Sequence, residues 1–379
     1  MPSRNLMMMG AAGAGGGAAE LYVWGRNQYG LLGLGDTVNR SSPVLVSDFQ
    51  PSVILGTYEA AGIVDTDGQL WTAGRNADGQ LGQGDTINRS SFTQVGALTN
   101  WGGEDAQLRV KNSADSNMFI VIKEDGTLWS WGNNFYGALG DGTTVFKSSP
   151  IQIGSSTDWS QVATKNYGGF AIKTNGTIWS WGLNNLGDLG QGDSGHANNR
   201  SSPTQIGSLT TWSKVASTGN SAHAIKTDGT LWSWGYNAQG QLGLGNTTNY
   251  SSPVQVGSDT DWEDVVGGTS HFIAKKTNGT IYGVGLNTSG ELGLGDTTNR
   301  SSYTQIGSLN TWSVLGAGYN SSYAIKTDGT LWAWGANSYG QLGLGNTVSY
   351  SSPVQVGSDT TWTFVSGSFE NSTMAIKSG

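Results

Sequence analysis

The sequence predicts an all-β protein, a single seven-bladed β-propeller that is closed by pairing of its N- and C-terminal strands. Three observations predict this fold: a motif that occurs seven times, a hairpin pattern within the repeats, and one hairpin that is divided between the two ends of the chain. They assign residues 21–379 to one propeller and residues 1–20 to a flexible N-terminal tail rich in Met, Gly and Ala.

A motif of the form W-G-x-N-x-x-G-x-L-G-x-G-D/N recurs seven times with small variations. Its second position is always glycine, at Gly25, Gly74, Gly132, Gly182, Gly235, Gly285 and Gly335. Successive copies are 49 to 58 residues apart, a length typical of one propeller blade and longer than most helical repeat units. Seven copies therefore predict seven blades.

The repeats also contain a β-hairpin pattern, seen in AIKTDGTLWSWG at residues 224–235. An apolar strand is followed by Asp-Gly and then by a strand with alternating aromatic residues, as in a tight hairpin. Asp-Gly and Asn-Gly favour a type I′ turn, in which both central residues have positive φ. Six such dipeptides occupy the equivalent turn position of their repeats, at Asp67-Gly68, Asp125-Gly126, Asn175-Gly176, Asp228-Gly229, Asn278-Gly279 and Asp328-Gly329.

The seventh hairpin is divided between the termini. Residues 375–379 have the sequence of a first hairpin strand with part of its turn, and the pattern of a second strand begins at residue 21. Pairing the two strands completes the last blade and removes two exposed sheet edges. The residues predicted to close the ring are Leu21, Val23, Trp24, Ala375 and Ile376.

Across residues 21–379, the W-G-x-N-x-x-G-x-L-G-x-G and A-I-K-T-D-G-T-L-W-S-W-G motifs resemble the repeats of the regulator of chromosome condensation family. The resemblance implies a seven-bladed propeller with offset blades that both termini close. The copies look like those found in phage and bacterial structural proteins. The family's best-known role is guanine-nucleotide exchange on a small GTPase with chromatin binding, but this chain has no basic N-terminal tail and is acidic overall.

The composition limits the kinds of partner and chemistry. Charged residues make up 12% of the chain and the formal net charge is −8, so the clustered cations that bind phosphate are lacking and no nucleic-acid partner is expected. The chain contains no cysteine, which excludes disulfides, thiolate catalysis and Cys-based zinc sites. It has no run of 18 or more apolar residues, so no membrane insertion is expected.

The candidate catalytic and metal sites have simpler structural interpretations. His223 occupies a position that is mostly apolar in the other repeats, which favours packing, and His196 and His271 are expected in loops without a chemical role. The Gly-rich loops lack the Gly-Lys-Ser/Thr ending of a phosphate-binding loop and predict turns between blades. One acid or amide per repeat is too few oxygens for Ca²⁺ but suits a turn cap, and the repeated Trp residues indicate blade packing. We therefore predict no enzyme activity, no cofactor and no metal.

Two sets of residues are predicted to contact a partner. The first would form a ring of cations and phenols on one face: Arg40, Arg89, Lys147, Arg200, Tyr250, Arg300 and Tyr350. Arg and Tyr are enriched at interface hot spots, but bracing of the loop within each repeat is an equal alternative. The second set occupies variable positions of W-G-x-N-x-x-G: Arg26, Tyr29, Arg75, Phe135, Tyr136, Leu186, Tyr236 and Tyr339. Aromatic residues in loops at one end of a rigid scaffold are typical of a recognition surface.

Two insertions depart from the repeat length, residues 102–117 and the segment around Ser194–His196. Both are expected in exposed loops, where they either carry a contact or carry nothing.

The function predicted first is a non-enzymatic structural or adhesive module of a larger assembly, such as a phage head or tail component on the virion surface. The repeats are nearly identical, for example SSPVQVGSDT at residues 251–260 and 351–360, with no specialised blade that would concentrate chemistry. Residues 1–20 are expected to anchor the propeller to a protein partner, and its face to contact a host-surface protein or glycan. The alternatives are guanine-nucleotide exchange and an inhibitory role like that of the propeller that inhibits β-lactamase.

Overall fold

The computed structural model describes residues 18–102, 110–111, 117–367 and 371–379. Their strands form seven sheets, each one blade of a closed β-propeller, which confirms the predicted all-β fold. Within a blade the consecutive strands are antiparallel, and the first strand lies nearest the centre, where it contacts the first strands of neighbouring blades.

Hydrogen bonds between neighbouring strands define the blades. β1 (Glu20–Gly25) and β2 (Arg40–Val46) belong to the seventh blade. The first blade contains β3 (Pro51–Gly56), β4 (Ala60–Asp65), β5 (Leu70–Gly74) and β6 (Arg89–Gln94). The short β7 (Val110–Lys111) pairs in parallel with the first strand of the third blade. In the described residues, the second blade contains β8 (Met118–Ile122), β9 (Leu128–Gly132) and β10 (Lys147–Gln152).

The remaining blades repeat the same order of strands. The third contains β11 (Trp159–Lys165), β12 (Gly168–Lys173), β13 (Ile178–Gly182) and β14 (Arg200–Gln205). The fourth contains β15 (Trp212–Ser217), β16 (Ser221–Lys226), β17 (Leu231–Gly235) and β18 (Tyr250–Gln255). The fifth contains β19 (Trp262–Gly267), β20 (His271–Lys276), β21 (Ile281–Gly285) and β22 (Arg300–Gln305). The sixth contains β23 (Trp312–Ala317), β24 (Ser321–Lys326), β25 (Leu331–Gly335) and β26 (Tyr350–Gln355), and the seventh adds β27 (Trp362–Gly367) and β28 (Ser372–Lys377). Two short 3₁₀ helices span Phe135–Gly137 and His196–Asn198.

The ring closes in the seventh blade, as the sequence predicts. The strand order there is β2-β1-β28-β27, and β1 pairs with β28 in a continuous antiparallel register from Glu20↔Lys377 to Gly25↔Ser372. All five residues predicted to close the ring are buried: Leu21, Val23, Trp24, Ala375 and Ile376. The two ends of the chain therefore pack together in two hydrophobic clusters, Leu21 and Val23 with Ile376 in one and Trp24 with Ala375 in the other.

The hairpin turns differ from the prediction of type I′. Gly229 has φ +77°, but Asp228 is not among the positive-φ residues. The Gly229 N–H donates to the Lys226 carbonyl and the Lys226 N–H donates to the Thr230 carbonyl, each at 3.0 Å. A turn followed by a left-handed glycine in a bulge needs positive φ at one position only, so Asp is free to cap it: the Asp228 carboxylate accepts from the Thr230 N–H and hydroxyl.

The Gly-rich loops pack against the next blade, as their sequence indicates. A side chain at Gly82 would lie 2.9 Å from the Trp131 indole nitrogen, so this position needs glycine. The Trp131 indole N–H donates to the carbonyl of Gln80 at 2.9 Å. This contact recurs between other neighbouring blades, which explains why both the Trp and the glycine belong to the repeat.

Several sequence-based expectations concern single residues or insertions. His223 is fully buried within β16, which confirms a packing role, whereas His271 begins β20 and is buried, so its predicted place in a loop is wrong. His196 lies in an exposed 3₁₀ helix. Residues 1–17 of the predicted tail lie outside the described residues, and so does most of the 102–117 insertion. Glu20, which the sequence assigned to the tail, belongs to β1.

Candidate functional site

One face of the propeller carries the loops that connect the third and fourth strands of each blade, and we call it the WG-loop face. Both predicted sets of contact residues lie on it, because each set belongs to these loops or to the ends of the strands that flank them. The opposite face, which carries the Asp-Gly and Asn-Gly turns, is called the hairpin-turn face.

The predicted ring of cations and phenols is held within each repeat. Every Arg or Lys of the ring forms an ion pair with the acid of its own loop: Arg40–Asp36 at 2.5 Å, Arg89–Asp85 at 2.7 Å, Lys147–Asp141 at 3.5 Å, Arg200–Asp193 at 2.7 Å and Arg300–Asp296 at 2.6 Å. Where the acid is replaced by Asn, the ring residue is Tyr: the amide of Asn246 donates to Tyr250 and that of Asn346 to Tyr350. The structure thus shows the bracing interpretation, and binding by this ring stays a prediction.

The acids of these pairs also cap their own loops. The carboxylate of Asp36 accepts the backbone N–H of Val38, and those of Asp85 and Asp296 accept the equivalent N–H groups. That hydrogen bond, followed by the one from the Arg guanidinium, lowers the pKa of each of the three carboxyls. The carboxylates therefore stay ionised around neutral pH, and each Arg is held against its own loop.

The second predicted set is spread over the loops at varied exposure. Arg26 lies over the ring of Tyr339 at 4.9 Å, and Arg75 pairs with Glu59 at 3.0 Å. Tyr29, Leu186 and Tyr236 are half-buried, so they offer only part of their surface. The most exposed members are Phe135 at 53%, Tyr136 at 41% and Tyr339 at 37%.

Phe135 and Tyr136 belong to a cluster that we call the aromatic patch, which consists of Phe135, Tyr136, Phe146, Tyr167 and His196. The Phe135 ring lies 4.9 Å from Phe146 and 6.3 Å from Tyr167. The Tyr136 ring lies 5.4 Å from Tyr167 and 5.6 Å from His196. Two loops of the third blade and one of the second meet here, including the Ser194–His196 insertion.

The backbone of the patch is unusual. Three non-glycine residues in the described part of the chain have positive φ, and two of them are Tyr136 (+63°) and Tyr167 (+52°). For a residue with a side chain this conformation costs about 1–2 kcal/mol. Tyr29 and Tyr339, at the position of Tyr136 in their own repeats, do not adopt it. The fold does not demand this backbone, because other blades form without it.

The residue at one repeated position, near the tip of each of these loops, divides the WG-loop face into two sectors. In four consecutive blades it carries an exposed β-branched hydrophobic side chain: Val348, Val38, Ile87 and Val145, each exposed by 57–63%. In the fourth and fifth blades it carries exposed Thr248 and Thr298. We call the first group the apolar sector; it runs from the sixth blade to the second and ends beside the aromatic patch.

The buried ionisable groups are closed to a substrate. Lys165 and Asp188 form a fully buried ion pair at 2.5 Å, and the Lys165 ammonium also donates to the Leu183 carbonyl at 2.8 Å. Burial raises the pKa of Glu291 and lowers that of His223 to about 3. In the described residues, no three His, Asp or Glu side chains are arranged to hold a metal, and no helix there is long and apolar enough to cross a membrane.

Sequence reasoning found Phe135 and Tyr136 but missed Phe146, Tyr167 and His196 as their neighbours. The signal was present in part, because each of these is an aromatic residue that the other repeats lack at that position. Their meeting depends on contacts between blades, which a repeat pattern does not specify.

Residues 20–375 match the family model described as an RCC1-like domain. Among curated proteins, the E3 ubiquitin-protein ligase HERC2 of Homo sapiens is 26% identical over 228 residues. These cover 60% of this chain and 4% of the length of that relative.

Two solved structures share the architecture. Yeast RCC1 (Prp20), in a complex with Kap60, superposes with a TM-score of 0.82 at 17% identity, covering 95% of this chain and 89% of the other. Human WBSCR16 superposes with a TM-score of 0.81 at 20% identity, covering 95% and 99%. At these identities the similarity shows the fold.

Proposed function

Since the chain belongs to the family of RCC1-like domains, we propose that it is a non-enzymatic protein-binding module whose contact surface is the aromatic patch with the adjoining apolar sector. The observation that carries this proposal is the exposed pair Phe135 and Tyr136, held on a backbone that the fold itself does not require.

The chemistry of this surface suits a protein partner. Aromatic side chains supply large contact areas at low entropic cost, and Tyr and Trp are enriched at the centres of interfaces. Backbone strain in non-glycine residues tends to occur at binding sites, where the surrounding structure maintains it. The solved complex of yeast RCC1 with Kap60 supports the idea that this architecture serves protein partners.

The test begins with cross-linking in the native source, which identifies a protein partner. The affinities of variants for that partner are then compared. The partner is then purified, and its affinity is measured by calorimetry. Phe135→Ala/Tyr136→Asn removes the two exposed rings, and Asn tolerates the left-handed backbone. We expect binding to weaken by roughly 30-fold or more, since interface hot spots contribute about 2 kcal/mol or more.

Leu309→Ser is the matched control, because Leu309 is 46% exposed but lies on the hairpin-turn face. It should bind the partner as the unaltered protein does, and thermal unfolding verifies that both variants are folded. Equal binding by the Phe135→Ala/Tyr136→Asn variant, or an equal loss in the control, would reject the aromatic patch as the contact surface.

A structural or adhesive role in a larger assembly, such as a virion surface, is the more specific form of this hypothesis. The near identity of the blades supports it, since no blade is visibly specialised for chemistry. Attachment through residues 1–20 is part of the same hypothesis. Recovery of the protein in purified particles, and its loss from them on deletion of residues 1–17, would support both, whereas recovery in the soluble fraction alone would contradict them.

Guanine-nucleotide exchange and enzyme inhibition are the alternatives. Accelerated nucleotide release from a small GTPase, or inhibition of a captured enzyme, would favour one of them over a structural role. Either outcome would still leave the protein a binding module.

A further inference from the structure

Six of the seven blades hold a lysine ammonium between two aromatic rings on the hairpin-turn face. In the fourth blade, Lys226 Nζ lies 3.6 Å from the Trp232 ring centroid and 5.0 Å from that of Trp212. Equivalent pairs of rings hold Lys123, Lys173, Lys276, Lys326 and Lys377. In several blades a carboxylate completes the site, as where Lys276 pairs with Asp259 at 2.7 Å. Each of these cages is thus filled by the chain's own cation.

In the first blade the position of this lysine is occupied by Asp65. Backbone contacts establish the equivalence: the Asp65 N–H donates to the Gln69 carbonyl at 3.0 Å, as the Lys276 N–H donates to Thr280 at 3.0 Å. Pro51 pairs with Asp65 in the register in which Trp262 pairs with Lys276. The first blade has therefore lost both the cation and one Trp of its cage.

The aromatic part of the cage is nevertheless present. Trp71 remains at its repeat position, and Phe49, from the segment that enters the blade, lies 5.1 Å from it in an edge-to-face arrangement. The Trp71 indole N–H donates to Asp65 Oδ2 at 2.8 Å. In the fourth blade the corresponding indole of Trp232 donates to the Thr230 hydroxyl. Asp65 thus lies directly beside the exposed part of the Trp71 ring system.

The resulting concave surface is both acidic and aromatic. Asp48, Asp65 and Asp67 line it together with Phe49 and Trp71. Within the part of the chain that the structure describes, none of the three carboxylates forms an ion pair. An aromatic face attracts a cation through its quadrupole, and a neighbouring carboxylate strengthens that attraction.

We propose that this pocket, which we call the open cage, binds the side-chain ammonium of a lysine from a protein partner. The six filled cages show which group these positions accommodate, and the open cage has the aromatic rings of Phe49 and Trp71 but no lysine. The net charge of −8 favours the approach of a cationic partner. The open cage lies on the hairpin-turn face, so it is independent of the aromatic patch.

The experiment follows the indole N–H signal of Trp71 by NMR, assigned with Trp71→Phe, during titration with the peptide acetyl-Gly-Lys-Gly-amide. We expect a saturable shift of this signal with the lysine peptide. The same peptide with an Nε-acetylated lysine keeps the length of the side chain but lacks the charge, so it should cause no such shift.

Two variants separate a specific cage from general attraction. Asp65→Lys restores the lysine of the other repeats, so the cage fills itself, and affinity for the peptide should fall by at least tenfold. Asp65→Asn, which keeps the shape, should weaken binding about fivefold through the lost charge. Glu124→Lys is the matched control, since Glu124 is an exposed carboxylate on the same face in the next blade and gives the same change in net charge.

Three results would overturn the proposal: no shift of the Trp71 signal, an equal shift with the acetylated peptide, or an equal loss of affinity in Glu124→Lys and Asp65→Lys. Thermal unfolding of each variant verifies that it is folded. Because the partner-binding assay of the aromatic patch uses the opposite face, its failure and the failure of the open cage are distinguishable.

Discussion

Replacing His223 with phenylalanine is expected to reduce the decrease in the free energy of unfolding that accompanies a fall in pH from 7 to 5. His223 is fully buried within β16, and its ring centroid lies 3.9 Å from that of Phe272. Its Nε2 is 3.4 Å from the Leu242 carbonyl oxygen, and its Nδ1 has no hydrogen-bond partner in the described residues. Burial lowers the pKa of the imidazole to about 3. Phenylalanine suits the site, because Phe170 occupies the same position in the third blade.

The magnitude follows from proton linkage. In the unfolded chain the imidazole has a pKa of about 6.5, so at pH 5 the unfolded state binds a proton that the native state does not. Unfolding then becomes more favourable as the pH falls, and stability is lost progressively from about pH 6.5 towards the native pKa. Between pH 7 and pH 5 this single group lowers the free energy of unfolding by about 2 kcal/mol.

The assay is urea-induced unfolding, followed by Trp fluorescence, at pH 7 and pH 5. The loss of stability between these pH values should be about 2 kcal/mol smaller in His223→Phe than in the unaltered protein. His271, with a pKa lowered to about 4 by burial, and Glu59 and Glu291, with raised pKa values, remain in both proteins, so their contributions cancel in the difference. His196→Phe is the control, because it replaces an exposed histidine with the same residue and leaves the buried site intact. An unchanged acid loss in His223→Phe would refute the assignment of a neutral, buried imidazole.

Two further predictions concern ring closure and the buried ion pair. Leu21→Asp places a charge in the core that joins the termini and should lower the free energy of unfolding by at least about 3 kcal/mol. Leu45→Asp, on the exposed outer strand of the same blade, should leave it nearly unchanged. Thermal unfolding measures both variants, and equal effects would contradict closure through β1. Lys165→Met leaves Asp188 buried without a counter-charge and should cost about 3–5 kcal/mol. Lys165→Thr/Asp188→Gln gives the third blade the residues that the fourth blade has at these positions, Thr218 and Gln241. Denaturant unfolding should show that this double variant recovers most of the stability that Lys165→Met loses. A double variant as unstable as Lys165→Met would show that the ion pair itself is required.

The overall fold was predictable because the constraints that define a blade are local and repeated. Each blade needs glycine where its loop meets an aromatic ring of the next blade, as at Gly82 and Trp131, and in five of the seven copies that ring is a Trp. Closure was predictable because half of a known hairpin occurred at each end. The turn type was predicted wrongly, since Asp-Gly is compatible both with a type I′ turn and with the bulged turn at Asp228-Gly229, and the sequence pattern does not separate them.

The candidate site was predictable only in part. The alternation of Asp36 with Arg40 in some blades and of Asn246 with Tyr250 in others was readable in the sequence and indicates bracing within the repeat. The aromatic patch was predictable only for Phe135 and Tyr136, because Phe135 and Tyr167 come from different blades and meet through contacts between those blades. Burial of His271 also depends on tertiary context, since its Nε2 lies 3.0 Å from the hydroxyl oxygen of Ser322 in the next blade.

The repeats provide internal controls that a fold with a single copy of each element lacks. A residue that recurs in all blades is explained by the blade itself, as the loop glycine is. A residue that departs from its column while the surrounding backbone is unchanged creates a surface that the other copies lack: Asp65 caps its own hairpin turn, but it also replaces the lysine that fills the cage in the other six blades. The same reasoning applies to Tyr136, because its left-handed backbone costs about 1–2 kcal/mol and the equivalent Tyr29 and Tyr339 do not adopt it. The open cage and the aromatic patch lie on opposite faces, so a protein partner bound to one of these proposed surfaces would leave the other accessible.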